Sequence, residues 1–272
     1  DKYKALGYDF IALTDHRFFA ENADLCTKDF LLLAASEDDQ RCSGVLMGRE
    51  AHYVCVRGTR GTSNLPNRTR YAQTCAAEYA DMQALVDRHL AAGDMVIYAH
   101  PYWSHNDVCD FDHLQGILGI EIYNHVCQYE WMLGYAENLW DSMLRAGKRV
   151  YGFATDDAHA PKHIGGGWIC AKVPVLDEES VLFAIKNGLF YASNGPAIED
   201  FGVEYGEVYM RCSDAAQIAF VWYPDMGYSV HAKDEPMRGA RVKMPEKTRF
   251  VRCKVADGRG GFAYTQPIYV EG

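Results

Sequence analysis

Short apolar runs recur along this chain, and each ends in side chains that bind metals. Phe10, Ile11, Ala12 and Leu13 lead into Thr14, Asp15 and His16, and Leu31 to Ala35 leads into Ser36, Glu37 and Asp38. Met95 to Ala99 leads into His100 and Pro101, and Ile120 to Tyr123 into Asn124 and His125. Val150 to Ala154 leads into Thr155, Asp156, Asp157, Ala158 and His159. An unbroken apolar run is the pattern of a strand buried on both faces, as in a parallel sheet covered by helices. Barrels of such strands carry their chemistry at the carboxyl ends. Five strands delivering His, Glu and Asp to one rim would build a metal site there.

Segments of helical period lie between the runs. Ala76 to Ala92 places Tyr79, Met82, Leu85, Val86 and Leu90 on one face and stops at Gly93. Tyr129 to Ala146 repeats this with Trp131, Leu139, Met143 and Leu144. Asp177 caps a third helix over Glu178 to Asn187, with acidic residues in its first turn. Strand alternating with helix is the pattern of a βα barrel or a doubly wound sheet. The pattern changes near Ser193-Asn194-Gly195-Pro196. Beyond it come short strands broken by turns, over 207–211, 217–222, 249–255 and 262–269, which predicts a small all-β unit of sandwich type. The expected division is therefore 1–196 and 197–272.

The net charge of −10 argues against long nucleic acid or an acidic membrane surface as partner, since both call for a cationic face. It leaves room for a small phosphate-bearing substrate held by metal ions. Nine scattered cysteines, none in a Cys-x-x-Cys pair, give no zinc ribbon and fit a reducing, cytoplasmic setting. No segment approaches the roughly 20 apolar residues of a membrane span.

One loop stands apart in this acidic chain. Residues 57–70 hold Arg57, Arg60, Arg68 and Arg70 with two glycines and a proline. It reads either as a solvated loop or as an arginine lid that recognises an anion, with Arg60 and Arg68 as the substrate-binding candidates. Asn124 and His125, at a strand end, are candidates to touch substrate or to play a hydrogen-bonded structural part. Trp103, His105 and Trp168 are candidate pocket walls, and His89, His113 and His231 have no partner in the sequence.

These motifs, in order, resemble the PHP (polymerase and histidinol phosphatase) family of metal-dependent phosphoesterases. The resemblance rests on Gly7 to His16, the Glu37 strand end, His52 opening Tyr53-Val54-Cys55-Val56, Ala99-His100-Pro101, and Asp157-Ala158-His159. It covers residues 1–196. Gly166-Gly167-Trp168, Gly188 to Pro196 and Thr265 to Tyr269 are similar to members in which a β-sandwich follows the barrel. The resemblance implies an α/β fold, a distorted (β/α)7 TIM-like barrel followed by a small all-β sandwich.

It also implies that His16, Glu37, His52, His100, Asp157 and His159 hold two or three divalent ions, with Glu37 as the bridging carboxylate. Glu50 competes with His52 for its position, and Asp15 and Asp156 fall behind the ligands, Asp156 orienting His159 or His16. Imidazole and carboxylate together suit Zn²⁺, Mn²⁺ or Fe²⁺ rather than Ca²⁺. The family's His-x-His strand, which precedes the helix ending near Leu6, has no counterpart, and a preceding segment bearing it is expected. The implied activity is hydrolysis of a small-molecule or short-nucleotide phosphate ester by metal-activated water, with no side-chain nucleophile. An amidohydrolase-like reaction at the same metals, or a non-catalytic binding protein built on a degenerate barrel, are the alternatives.

Overall fold

The structure, a computed structural model, describes residues 2–58 and 67–270. After a short helix α1 (Lys2–Ala5) come β1 (Phe10–Leu13), β2 (Phe18–Phe19), β3 (Leu31–Cys42), β4 (Glu50–Arg57), β5 (Thr69–Arg70) and β6 (Thr74–Ala76). Helix α2 (Tyr79–Ala91), β7 (Asp94–Tyr98), β8 (Gly119–Asn124), α3 (His125–Trp131), α4 (Glu137–Arg145) and β9 (Tyr151–Thr155) follow. The apolar runs of the sequence are β1, the first part of β3, β7, β8 and β9, and they pair in the order β1-β3-β4-β7-β8-β9.

The (β/α)7 TIM-like barrel expected from the sequence does not form. Strand makes up 41% and helix 21%, with five α-helices among the described residues, so the sheet lacks the helical jacket of such a barrel. It is an open half-barrel with β1 and β9 at its edges. The physical reason begins at β4. Only residues 43–49 separate it from β3, too few for the crossover of a dozen or more residues that a parallel neighbour needs. Strand β4 therefore returns antiparallel to β3, and β7 is antiparallel to β4 in turn. The pairs β1·β3, β7·β8 and β8·β9 are parallel. As a result, β4 delivers His52 from its beginning to the rim that the other strands reach with their ends.

Helix α2 starts with a capping box between Glu78 and Asp81 and buries Met82, Leu85, Val86 and His89. The single helix expected over 129–146 is two, α3 and α4. Residues 134–136 pair with β8 instead: Asn124 N–H donates to Gly134 O (2.9 Å) and Ala136 N–H to Ile122 O (3.0 Å). Gly134 is required there, because a Cβ would lie 2.4 Å from the Asn124 carbonyl oxygen.

The remainder is β10 (Trp168–Ala171), α5 (Glu178–Lys186), β11 (Phe190–Ser193), β12 (Ile198–Glu204), β13 (Glu207–Ala215), β14 (Gln217–Tyr223), β15 (Tyr228–His231), β16 (Met237–Lys243), β17 (Phe250–Ala256), β18 (Phe262–Thr265) and β19 (Ile268–Tyr269). One sheet runs β10-β11-β18-β17-β14-β15 and another β12-β13-β16. Val208, Met210 and Cys212 of the smaller sheet share a core with Ile218, Phe220, Val251 and Val255 of the larger. The larger sheet draws β10 and β11 from before residue 197, so the halves share chain as well as core.

Contacts of several kinds weld the halves. Trp140 of α4 sits in one cluster with Ala192, Phe250 and Tyr264. The fully buried Arg252 of β17 donates to Asp141 (2.8 and 2.7 Å) and Glu137 (2.7 Å) of α4. The Gln266 amide accepts from Gly152 N–H (2.9 Å) and donates to Gly152 O (2.8 Å), acting as one residue of strand along β9.

Candidate metal centre

Glu37 is the centre of the site. The parallel pairing of β1 and β3 continues past β1, with Arg17 N–H donating to Glu37 O (2.8 Å) and Glu37 N–H to Asp15 O (3.3 Å). That register sets His16 beside Glu37. Asp39 of β3 lies opposite His52 of β4, and side chains alternate along strands, so Glu37, Asp39 and His52 share one face of the sheet. His100 lies two residues beyond the end of β7.

The three imidazoles of His16, His52 and His100 are built alike: each has one nitrogen anchored outward and the other turned toward Glu37. His16 Nδ1 faces Asp39 Oδ1 at 3.2 Å, and its Nε2 lies 4.0 Å from Glu37 Oε2. His52 Nε2 lies 3.3 Å from Glu50, and its Nδ1 is 2.7 Å from Glu37 Oε1. His100 Nδ1 pairs with Ser104 Oγ (3.0 Å), and its Nε2 is 3.4 Å from Glu37 Oε1. Outer partners of this kind fix ring orientation and tautomer in metal sites. Ligand atoms of His16, Glu37 and His52 all fall within 4.8 Å of one another. Bonds of about 2 Å to a tetrahedral ion set ligand atoms roughly 3.3 Å apart, so this donor set fits a divalent ion after small adjustments.

The electrostatics agree with the geometry. Burial alone would raise the Glu37 carboxyl, but hydrogen bonds from His100 and His52, and their charges, hold it well below the usual carboxylate range. Burial alone would lower His100; the bond to Glu37 and the charges of Glu37, Glu121 and Asp157 push it up to about 9.

Asp157 and His159 come from the turn after β9. His159 is exposed, its ring 6.2 Å from that of His16, and its Nδ1 lies 3.5 Å from Asp157 Oδ1. Its main chain is held by His163, whose Nδ1 accepts from His159 N–H at 3.2 Å. Asp156 orients neither His159 nor His16. Its carboxylate accepts from the N–H groups of Gly165, Gly166 and Gly167 at 2.7–2.8 Å, pinning the loop that follows. Asp15 is exposed and acts through its main-chain carbonyl.

The remaining candidates separate. Asn124 is buried with both ends of its amide engaged, accepting from Cys127 N–H (3.0 Å) and donating to Glu121 (2.9 Å) and Asp157 (3.2 Å), so it is part of the framework. His125 pairs through Nδ1 with Tyr123 Oη (3.0 Å), and burial lowers its pKa, keeping the ring neutral. Arg60 lies outside the described residues. Arg68 is bound to Glu21, Asn22 and Asp24, none of them a candidate ligand. Arg57 is buried against Phe19 and paired with Glu21 at 2.5 Å. Among the described residues of this stretch, Arg70 bonds to a candidate ligand, its Nε donating to the main-chain oxygen of His16 at 3.3 Å. Trp103 packs edge-on against His100, with ring centroids 5.0 Å apart.

Asp39, Ser104, Glu121 and His163 were not singled out in the sequence. Only Asp39 had a local signal, the i, i+2 spacing from Glu37 on one strand. A cavity of about 670 Å³ opens at this rim, lined by His16, Glu37, His100, Glu121, Asp157 and His159 above and by Phe10, Leu33, Val56 and Phe153 below.

Compared with protein-family models, curated proteins and solved structures, the chain matches none. Among the described residues, no helix is long and apolar enough to cross a membrane.

Proposed function

We propose that the chain is a divalent-metal-dependent phosphoesterase, hydrolysing a small-molecule or short-nucleotide phosphate ester. The observation that carries the metal is Glu37, a buried carboxylate whose Oε1 faces His52 and His100 while its Oε2 faces His16. The order of motifs shared with the PHP phosphoesterases supports the choice of a phosphate ester. Zn²⁺, Mn²⁺ or Fe²⁺ in such a site lowers the pKa of bound water and offsets charge on phosphoryl oxygens. The protein's own part is to present imidazoles of fixed orientation, through Asp39, Glu50 and Ser104. His159 is exposed at the cavity.

The test is elemental analysis of undialysed protein together with assays on generic phosphate esters and short nucleotides. Two or more transition-metal ions per chain, and turnover abolished by a chelator and restored by Mn²⁺ or Zn²⁺, is the expected result. Glu37→Gln should lose both metal and turnover. A metal-free protein of normal stability overturns the reading. Turnover of amides or lactones with no phosphate ester hydrolysed reassigns the reaction.

A further inference from the structure

We infer that Glu121 is the positioning residue of this centre, a single buried carboxylate that holds the strained ends of β7 and β9 in ligating geometry. The inference rests on the metal-centre reading above. His100 and Asp157 both have positive φ, +26° and +50°. L side chains rarely adopt such backbone, and it persists only where the surroundings over-determine it. Both residues are candidate ligands, and both are tied to Glu121.

The ties are specific. His100 N–H donates to Glu121 Oε2 at 2.9 Å. Asn124 Nδ2 donates to that same oxygen at 2.9 Å and to Asp157 Oδ2 at 3.2 Å. Cys127 N–H donates to Asn124 Oδ1 (3.0 Å), which fixes the direction of the amide. Thr155 Oγ1, two residues before Asp157, donates to Glu121 Oε1 at 2.9 Å. One carboxylate thus connects the ends of three adjacent strands. Its place follows from the local fold: the register of β8 against β9 shifts between Glu121 and Tyr123, and such irregularities re-aim side chains beside functional sites. Glu121 is 2% exposed and accepts from three protein donors, so its part is to hold ligands rather than to be one.

The experiment compares Glu121→Leu and Glu121→Gln with the wild type. The glutamine retains an oxygen for His100 N–H and Asn124, and the Thr155 hydroxyl can reverse to accept from its amide. Mn²⁺ and Zn²⁺ affinities are read by competition with a chromogenic chelator on protein shown to be folded by circular dichroism. Exchange of the His100 amide is followed in parallel by mass spectrometry. Loss of an outer partner costs roughly ten- to a hundredfold in metal affinity, so the leucine variant should fall by at least about tenfold. Its His100 amide should also exchange faster. The glutamine variant should recover to within a few-fold of wild type on both readouts. Should Glu121→Leu not fold, Thr155→Val removes one tie and should shift both readouts in the same direction. Folded Glu121→Leu, or Thr155→Val in its place, with wild-type affinity and wild-type exchange overturns the inference. If the wild type takes up no metal, the metal reading fails, and exchange at His100 alone then decides whether Glu121 positions it.

Discussion

Asp39 decides which nitrogen of His16 is available. Its carboxylate also accepts from Arg17 and Gln73, so it is held while it holds the imidazole. Replacing Asp39 with Ala should let the His16 ring rotate and lower metal affinity about ten- to a hundredfold, with the fold intact. Chelator competition measures this, and unchanged affinity would remove Asp39 from the site. A second expectation concerns protons. With its pKa pushed up to about 9 beside Glu37, His100 is protonated at neutral pH in the metal-free protein. A cation must displace that proton, so apparent affinity should rise as pH increases and level off above about 9. A pH series checks it, and an affinity flat from pH 6 to 9 contradicts it.

At the scale of elements, α2 is fastened to the sheet by a buried ion rather than by apolar contact alone. Both nitrogens of His89 face carboxylates, Asp38 and Asp94, each at 2.9 Å, so both donate and the ring is cationic. Burial works against that charge, but Cys55 nearby and the bonds to Asp38 and Asp94 outweigh it and push His89 up to about 11. A pKa raised on folding stabilises most below the unfolded value, about 6.5 for histidine. That stability is lost as pH rises through the folded value. His89→Leu should therefore cost about 3 kcal/mol at neutral pH by removing the cation between two buried carboxylates, of which Asp38 keeps Arg88 and Tyr71. The difference from wild type should shrink as pH climbs toward 11. Denaturant melts at several pH values measure this; a gap that widens with pH would show that the histidine is neutral. The sequence showed α2 by its period and its Gly93 stop, but gave His89 no partner, because Asp38 and Asp94 meet it only after β3 and β7 lie in one sheet. The break between α3 and α4 was hidden for a related reason: residues 134–136 keep a helical pattern, yet a strand edge claims their hydrogen bonds.

For the whole molecule, the governing fact is that the half-barrel and the β-sheets behind it share one core. Arg252 is fully buried, lies over the Trp140 ring at 4.8 Å, and bonds to Glu137 and Asp141 across the junction. Lys254 reaches Glu137 as well, at 2.5 Å. Removing Arg252 leaves two acidic side chains undercompensated, so Arg252→Ala should cost about 3–5 kcal/mol. It should also split a single cooperative unfolding transition into two. Scanning calorimetry checks both, and one transition with an unshifted midpoint would make the junction energetically idle. The open edge of β9 is served by the Gln266 amide, a tie from residues 114 positions away that no local pattern announces.

The sequence by itself determined where the strands of the half-barrel run, because unbroken apolar runs favour burial whatever their neighbours. It also determined that His16, His100, Asp157 and His159 stand just beyond strand ends, since the runs stop there; Glu37, expected at a strand end, lies instead within β3, which continues to Cys42 because its polar second half is paired with β4. The tertiary structure alone decided how those strands pair. The link of residues 43–49 forces β4 to run backward, and that reversal, invisible to periodicity, opens the expected barrel and still sets His52 at the rim. Tertiary structure also chose the outer partners Asp39, Glu50, Ser104 and Glu121 and took Asn124 and Arg68 for the framework. Hydrogen bonds between residues distant in sequence depend on strand register, and register is settled by packing.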